Sequence, residues 1–439
     1  MLTHRYRTIL GDIPADWDAK PLRSLIAEHF AGDWGDDEGE QAVAVMRSTN
    51  FTNDAQLAFS DVATRYFPND KAEQFGPLRG DLLVERSGGG PDQPVGRIGF
   101  IERDIPGSTV SNFVQVLRPD PEKVDASFLG WALFELQRTG IVERVQQQST
   151  QMRNLNWRDY QRLLLPWPEV DEQRRIAAAL RLVDDAIQKA RAELDATREL
   201  KRSLMNSLFA VGMPGRHTDF QETKIGPIPQ GWTVRTISSV LADKPDSGTS
   251  PLSRPDPPGT PILNVSCVKS GVCSPAEVTY VDVSDDEIER YRTQAGDFFV
   301  LGGNGNRDFV ATGGLLRQTP DVDTIYSDKL IRLRFNAEEV ADRFVPYLWQ
   351  SWEFLTRLQS KAESGSGLWM MSKRDICREL FACPPPEEQK EIVALLDSTE
   401  EQLNTQNKKV GAFMEVKRSL LQNLITGKIR IPEGASCLN

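Results

Sequence analysis

The chain has 439 residues, long enough for two to four domains. Its share of hydrophobic residues (39%) and of charged residues (26%) is ordinary for a soluble globular protein. No apolar run reaches the ~18 residues of a membrane span, the first residues lack the apolar core of a secretory signal, and a cytoplasmic protein is expected. The net charge of −11 excludes a generally basic nucleic-acid binder. Two runs, Asp33 to Glu40 and Asp282 to Glu289, each hold five acids and no base, so they supply −10 of that charge. The remainder is near neutral and able to carry local basic patches. Five cysteines without a CxxC pair, and three scattered histidines, support neither a disulfide framework nor a zinc site.

In chain order, the first recognisable stretch is "LGDIPADW", Leu10 to Trp17. Strands are predicted at "AVAVM", "RIGFIE" and "NFVQVL", and a helix at "ASFLGWALFELQRTG". "SGGG" (Ser87 to Gly90) reads as a tight turn. An amide-rich loop follows, with Gln146, Gln147, Gln148, Ser149, Gln151, Arg153, Asn154 and Asn156. Pro166 and Pro168 then precede a long helix, as proline suits a first turn and not an interior. Asp171 and Glu172 stand in its first turn, where the helix dipole favours acids, and Lys201-Arg202 and then Gly212 mark its end.

The order then returns. "IGPIPQGW" (Ile225 to Trp232) matches the opening stretch at a shift of 215. Strands are predicted at "PILNV", "DFFVL" and "KLIRLRF", a capping box at Ser284 and Glu287, and one helical run at "DRFVPYLWQSWEFLTRLQ". "GGNGN" (Gly302 to Asn306) reads as a second tight turn. Pro384, Pro385 and Pro386 open a second long helix, again with acids (Glu387, Glu388) in the first turn and with Gly427 beyond its end. At a shift of 216, Gly80-Asp81 aligns with Gly296-Asp297, Leu117-Arg118 with Leu333-Arg334, and Arg158-Asp159 with Arg374-Asp375. From Glu172 to Leu208 the two copies share 12 of 37 positions without a gap, including Glu-Gln at the start and Lys-Arg-Ser-Leu near the end.

The chain is therefore a tandem duplication, and its two copies suggest a two-fold pseudosymmetric molecule. The apolar seam of the first helix runs Ile176, Leu180, Val183, Ile187, Ala190, Leu194. That of the second runs Ile392, Leu396, Thr399, Leu403, Gln406, Val410, Phe413. This alternating spacing is coiled-coil packing, and the natural partner of each helix is its duplicate, returning antiparallel. The expected fold is α+β: two α/β domains joined by two long antiparallel coiled-coil-like helices, a dumbbell with pseudo-two-fold symmetry.

These duplicated segments carry a resemblance. The two openings, "GDIPADW" and "GPIPQGW", are followed by "QQSTQMRNLNWRDYQRLLLPWPEVDEQRRIAAAL" in the first copy and "ESGSGLWMMSKRDICRELFACPPPEEQKEIVALL" in the second. "KRSLMNSLF" and "KRSLLQNLITGKI" close the helices. Over essentially its full length the chain resembles the specificity (S) subunit of type I restriction-modification enzymes. The resemblance implies target recognition domains at residues 1–165 and 213–383, a first spacer helix at 166–212, and a second spacer helix with a C-terminal tail at 384–439. It further implies a non-catalytic subunit that reads one half of a bipartite, non-palindromic double-stranded DNA site with each domain. The helices would set the spacer and dock two methyltransferase (M) subunits, which bring S-adenosylmethionine, with restriction (R) subunits bringing ATP and Mg. The chain itself would bind no cofactor and no metal. It departs from the family pattern in two loops: "QQQSTQ" has no glycine before Ser149, and Gly367 stands where a threonine-like residue is common.

An enzymatic reading finds little support. "PDPPG" (Pro255 to Gly259) lacks the aromatic residue that stacks on a flipped base in amino-methyltransferases. Neither glycine-rich segment is followed by Gly-Lys-Ser/Thr, so no P-loop is indicated, and no nucleophile elbow occurs.

Base edges in the major groove are read by Arg, Asn, Gln and Ser, while phosphate contacts position the protein. The candidates in the first domain are Gln148, Ser149, Arg153, Asn154 and Asn156, with Arg86 and Arg97 on a hairpin-like loop. Those in the second are Ser364, Ser366, Trp369, Lys373 and Arg374, with Asn304 and Arg307 on the corresponding loop. Arg175, Arg181, Asp185, Lys189, Glu391 and Glu401 are outward positions available to M subunits. Two other readings are a protein-interaction scaffold, and an S-type subunit of a related methylating system outside type I.

Overall fold

The computed structural model describes residues 7–68, 76–89, 95–148, 152–269, 271–365 and 367–434. The chain divides into two compact units, Met1–Arg191 with Lys409–Asn439, and Ala192–Lys408. Each long helix is shared between them. The first spans Val170–Val211, and the second spans Pro386–Ile425 with a proline at its first position.

In unit 1 the central sheet has four antiparallel strands in the order Ile26–Ala31, Val114–Pro119, Leu82–Glu85 and Ile98–Phe100. A second sheet sets Gln41–Met46 between Ser108–Val110, which is parallel to it, and Ala63–Phe67, which is antiparallel. Unit 2 repeats the central pairing inside a six-stranded sheet. Phe298 faces Leu333 there as Leu82 faces Leu117 in unit 1, again at a shift of 216. The strands predicted from sequence all form.

The predicted helix over 342–359 is instead two helices, Phe344–Gln350 and Trp352–Gln359. Ser351 between them is extended (φ −68°, ψ 139°), and its hydroxyl donates to the Leu348 carbonyl at 2.6 Å. The Leu348 carbonyl also accepts the Ser351 amide at 2.9 Å, and the two bonds end the first helix. The capping box at Ser284 and Glu287 forms as expected, over Asp285–Tyr291. Cys267, Cys273 and Cys383 are buried, Cys377 is half-buried, and none is in a disulfide; Cys437 lies outside the described residues.

The repeated dipeptides form ion pairs inside each unit. Arg118 holds Asp81 through Nε (3.0 Å) and Nη2 (2.9 Å), and Arg334 holds Asp297 through Nε (2.6 Å) and Nη2 (3.3 Å). Both acids are buried, so each pair ties two central strands with a bidentate, charge-assisted contact.

Each core takes turns from both long helices. In unit 1, Ile176 and Leu180 are buried with Leu421, Leu424 and Ile425 beneath Trp17 and Phe128. In unit 2, Met205 and Leu208 are buried with Ile392 and Leu396 beneath Phe344 and Phe381. Within each unit the two helix segments run antiparallel, because contacts rise along one as they fall along the other: Glu172 to Arg430 and Asp184 to Lys417 in unit 1, Lys201 to Glu400 and Arg198 to Asn407 in unit 2.

Of the predicted seam, Ile176, Leu180, Ile187, Ala190, Leu194, Ile392, Leu396 and Thr399 are buried. Leu403, Gln406, Val410 and Phe413 are only half-buried. Val183 is half-buried too, because Asp184 takes the buried place beside it. Asp184 pairs with Lys417, whose ammonium lies 4.5 Å from the centre of the Trp131 ring. Unit 2 repeats the arrangement: Lys201 donates to Glu400 at 2.5 Å and lies 5.7 Å from the centre of the Tyr347 ring. Acid, lysine and ring are all related by 216 positions, which explains the repeated Lys-Arg-Ser-Leu.

The helix starts are held by Glu-Gln. Trp17 Nε1 donates to Glu172 Oε2 at 3.1 Å, and Trp232 Nε1 to Glu388 Oε2 at 3.0 Å. Gln173 Oε1 accepts from the Asp125 amide (2.8 Å), while its Nε2 donates to the Pro168 carbonyl (2.7 Å). Gln389 does the same with the Ala341 amide (2.9 Å) and the Pro384 carbonyl (2.8 Å). A basic side chain from the segment after the opposite helix completes each site. Arg430 reaches both oxygens of Glu172, and His217 Nε2 lies 2.8 Å from Glu388 Oε1. Gly212 and Gly427 make the sharp exits that bring those segments back, both in the left-handed region (φ +79° and +67°) with no room for a Cβ.

Two tests follow from these pairs. Lys417→Ala strands a buried carboxylate and should cost about 3–5 kcal/mol; Lys201→Ala should cost less, since Arg317 also holds Glu400 at 3.1 Å. Urea unfolding midpoints rank the two. The second test is acid stability. Burial opposes the charge on Glu388, but the Met213 amide, His217 and Trp232 outweigh it and hold the carboxyl below its ordinary value of 4.5. Its contribution to stability is therefore full above that ordinary value and lost as pH falls through the lower folded value. Glu388→Gln should flatten the acid limb of the stability profile.

Candidate nucleic-acid interface

The two closing loops fold as similar three-stranded ribbons. In unit 1, Gln146–Gln148 pairs antiparallel with Arg153–Leu155, which pairs in turn with Ser87–Gly89. In unit 2, Glu363–Gly365 pairs with Leu368–Met370, and that strand with Gly303–Asn304. The registers correspond: Gln147 faces Asn154 as Glu363 faces Met370, and Asn154 faces Ser87 as Met370 faces Gly303. The glycine-rich segments expected as tight turns are thus in part edge strands, because the closing hairpins offer them a free edge to pair with.

The fold therefore joins the candidates from the closing loop of each domain to those of its hairpin-like loop. In unit 1 the Arg86 carbonyl accepts from the Leu155 amide at 2.8 Å, which places Arg86 beside the ribbon. Arg153 and Asn154 lie half-buried on its middle strand. Ser149, Gln151 and Ser366 lie outside the described residues, as does the side chain of Gln148.

Two candidates are committed elsewhere. Arg97, expected on an exposed hairpin, is 7% exposed. It forms a fork with Glu85 (both contacts 2.8 Å) and donates to the carbonyls of Phe51 (2.7 Å) and Ser48 (2.8 Å). A guanidinium so saturated braces the sheet and leaves nothing to present to a ligand. Asn156 accepts from the Asp159 amide at 3.3 Å and donates to its carboxylate at 2.7 Å, so it caps the short helix Trp157–Tyr160.

In unit 2 the Arg307 guanidinium lies over the Trp369 ring at 5.0 Å, a cation–π contact that holds both groups on the ribbon. Asn304 accepts from the Asn306 amide at 2.9 Å. Ser364 is exposed on the outer strand. Lys373 lies 3.7 Å from Asp246, while Arg374 is exposed and makes no ion pair among the described residues. Arg374, Arg378 and Met370 line a groove of about 570 Å³ along this ribbon. Sequence reading missed the exposed Leu368 and Met370, because Leu-Trp-Met reads as a short buried apolar run.

No protein-family model matches the chain. A Methanocaldococcus jannaschii protein assigned as the specificity subunit of type I restriction enzyme MjaX is 22% identical over 445 residues, covering 97% of this chain and 96% of that protein. The EcoKI specificity subunit of Escherichia coli K12 is 23% identical over 266 residues, 61% of this chain and 57% of that protein. Both of these relatives are named as type I restriction enzyme specificity subunits. The fold agrees. A solved chain from a type I restriction-modification system superposes with a TM-score of 0.57 at 15% identity, over 95% of this chain and 99% of that chain. The S subunit from M. genitalium superposes with a TM-score of 0.55 at 14% identity, over 96% and 99%.

Arg97 and Arg374 separate bracing from presentation. Arg97→Ala leaves Glu85 buried without its partner and should destabilise the chain by about 3–5 kcal/mol. Arg374→Ala should leave the melting temperature unchanged. Thermal unfolding of both variants checks this.

Proposed function

We propose that this chain is the DNA-specificity subunit of a type I restriction-modification complex. Each unit reads one half of a bipartite, non-palindromic double-stranded site in the major groove. The observation that carries the reading is the pair of ribbons, alike in register and unlike in side chains. One carries glutamines, Arg153 and Asn154; the other carries Glu363, Ser364, Trp369 and Met370. A common scaffold with different donors, acceptors and apolar groups suits two different half-sites.

The helices serve as the ruler between the halves. At ~1.5 Å per residue the 42 and 40 residues of the two helices exceed the ~34 Å between half-sites on one face of B-DNA. The helices also dock two M subunits, which bring S-adenosylmethionine and methylate adenine. R subunits bring ATP and Mg for restriction. This chain contributes recognition and no catalytic group. The assembly is favoured by the likeness to specificity subunits and by the repeated helix starts and ends.

Sequencing of methylated sites in cells that carry this chain with its M partner tests the reading. One bipartite motif is expected, and removing matched turns from both helices should change its spacer. An unchanged spacer would sink the ruler. Arg153→Ala and Arg374→Ala should each weaken binding by roughly 1–3 kcal/mol for a base contact, each at a different half-site, as measured by gel shift of the complex.

A further inference from the structure

Beside the unit 1 ribbon lies an open cleft of about 470 Å³. Its walls are Trp34, Arg47, Ser48, Asn112 and Phe113, with Gly88 of the ribbon at its base. Gly88 has φ +111°, and a Cβ there would meet the Ser48 hydroxyl at 3.1 Å. The cleft and the ribbon are one surface: the Phe113 carbonyl accepts from the amides of Arg86 (2.7 Å) and Ser87 (3.2 Å), and the Ser48 hydroxyl donates to the Ser87 carbonyl at 2.9 Å.

Asn112 and Phe113 are the two tip residues of a turn closed by the Val114 amide on the Ser111 carbonyl at 2.9 Å. The turn is pinned at its base by the Ser111 amide on Met46 at 2.8 Å. Both tip side chains are exposed, and the Asn112 amide makes no hydrogen bond among the described residues. The cation in the cleft wall and the one stacked on Trp34 are already matched. Arg47 pairs with Asp61 at 3.0 Å, and Arg65, stacked 5.0 Å from the Trp34 ring centre, pairs with Asp37. A phosphate site would need free positive charge. This cleft instead offers a free carboxamide next to an exposed ring on a rigid tip.

That combination has a known complement in DNA. A carboxamide binds adenine N6 and N7, and an apolar wall accepts the C5-methyl of thymine, so one A·T pair offers partners to both. We propose that the cleft reads one A·T pair of the half-site bound by unit 1, with Asn112 on the adenine and Phe113 against the thymine methyl. The proposal rests on the chain being a DNA-specificity subunit.

The test uses the full chain with its M partner and compares methylated motifs of the wild type, Asn112→Ala and Phe113→Ala. Each variant should relax one A·T position in one half-site, with discrimination there falling roughly 5- to 150-fold. The other half, the one weakened by Arg374→Ala, should stay intact and so report a folded protein. Replacing the thymine at the relaxed position with deoxyuridine should weaken wild-type binding and leave Phe113→Ala binding unaltered. Unchanged motifs for both variants, relaxation at a G·C pair, or relaxation in both halves would overturn the assignment of the cleft. Failure of the wild type to give a bipartite motif would overturn the specificity reading itself.

Discussion

A carboxylate lies at the first turn of each long helix, and two separate parts of the unit converge on it. Glu172 takes the indole of Trp17 and the guanidinium of Arg430; Glu388 takes the indole of Trp232 and the imidazole of His217. Removing such a charge from water is costly unless its lone pairs are occupied, so each partner is required by the others. The opening strands are thereby locked to the helix start, and the chain leaving the opposite helix is locked to both. The neighbouring glutamine extends the clamp to the next helix of the domain through the Asp125 or Ala341 amide. The lysine–acid contacts lie further along the same helices, so this anchorage sets the start from which they are reached.

Much of this was legible because the duplication writes each constraint twice. The Gly-Asp and Leu-Arg pairs, the Glu-Gln starts and the Lys-Arg-Ser-Leu ends are repeated as identical letters, and each is half of a contact between distant residues. The acid opposite the lysine escaped notice because Asp184 and Glu400 differ in letter while sharing charge and place. Arg97 was misread for a different reason. An arginine near a glycine-rich loop looks exposed until Glu85, on a neighbouring strand, is seen to receive it, and only tertiary structure brings those two together. The break at Ser351 was hidden by an uninterrupted apolar pattern, which a serine can end through its own hydroxyl.

The ribbons could be located from sequence but not formed from it. Both closing loops were conspicuous for their polarity and for their divergence, yet nothing in either indicated that a glycine-rich segment sixty residues upstream would become a third strand. Pairing between distant short strands leaves little periodic signal, since three residues are too few to show alternation. Divergence at a shared register is what the fold adds. It separates positions set by the backbone, which are common to both units, from those free to vary with whatever each surface touches.

The sharing of the long helices bears on the order of folding during synthesis. Unit 2 is contiguous, running from Ala192 to Lys408, and all of its core residues have been made once the second helix is half emerged. Unit 1 is made of two pieces and lacks Leu421, Leu424 and Arg430 until the last part of the chain appears. Domains generally fold as units while the chain is being made, so the half synthesised first is the half completed last. Until then Ile176 and Leu180 lack the Leu421, Leu424 and Ile425 side chains that complete their cluster.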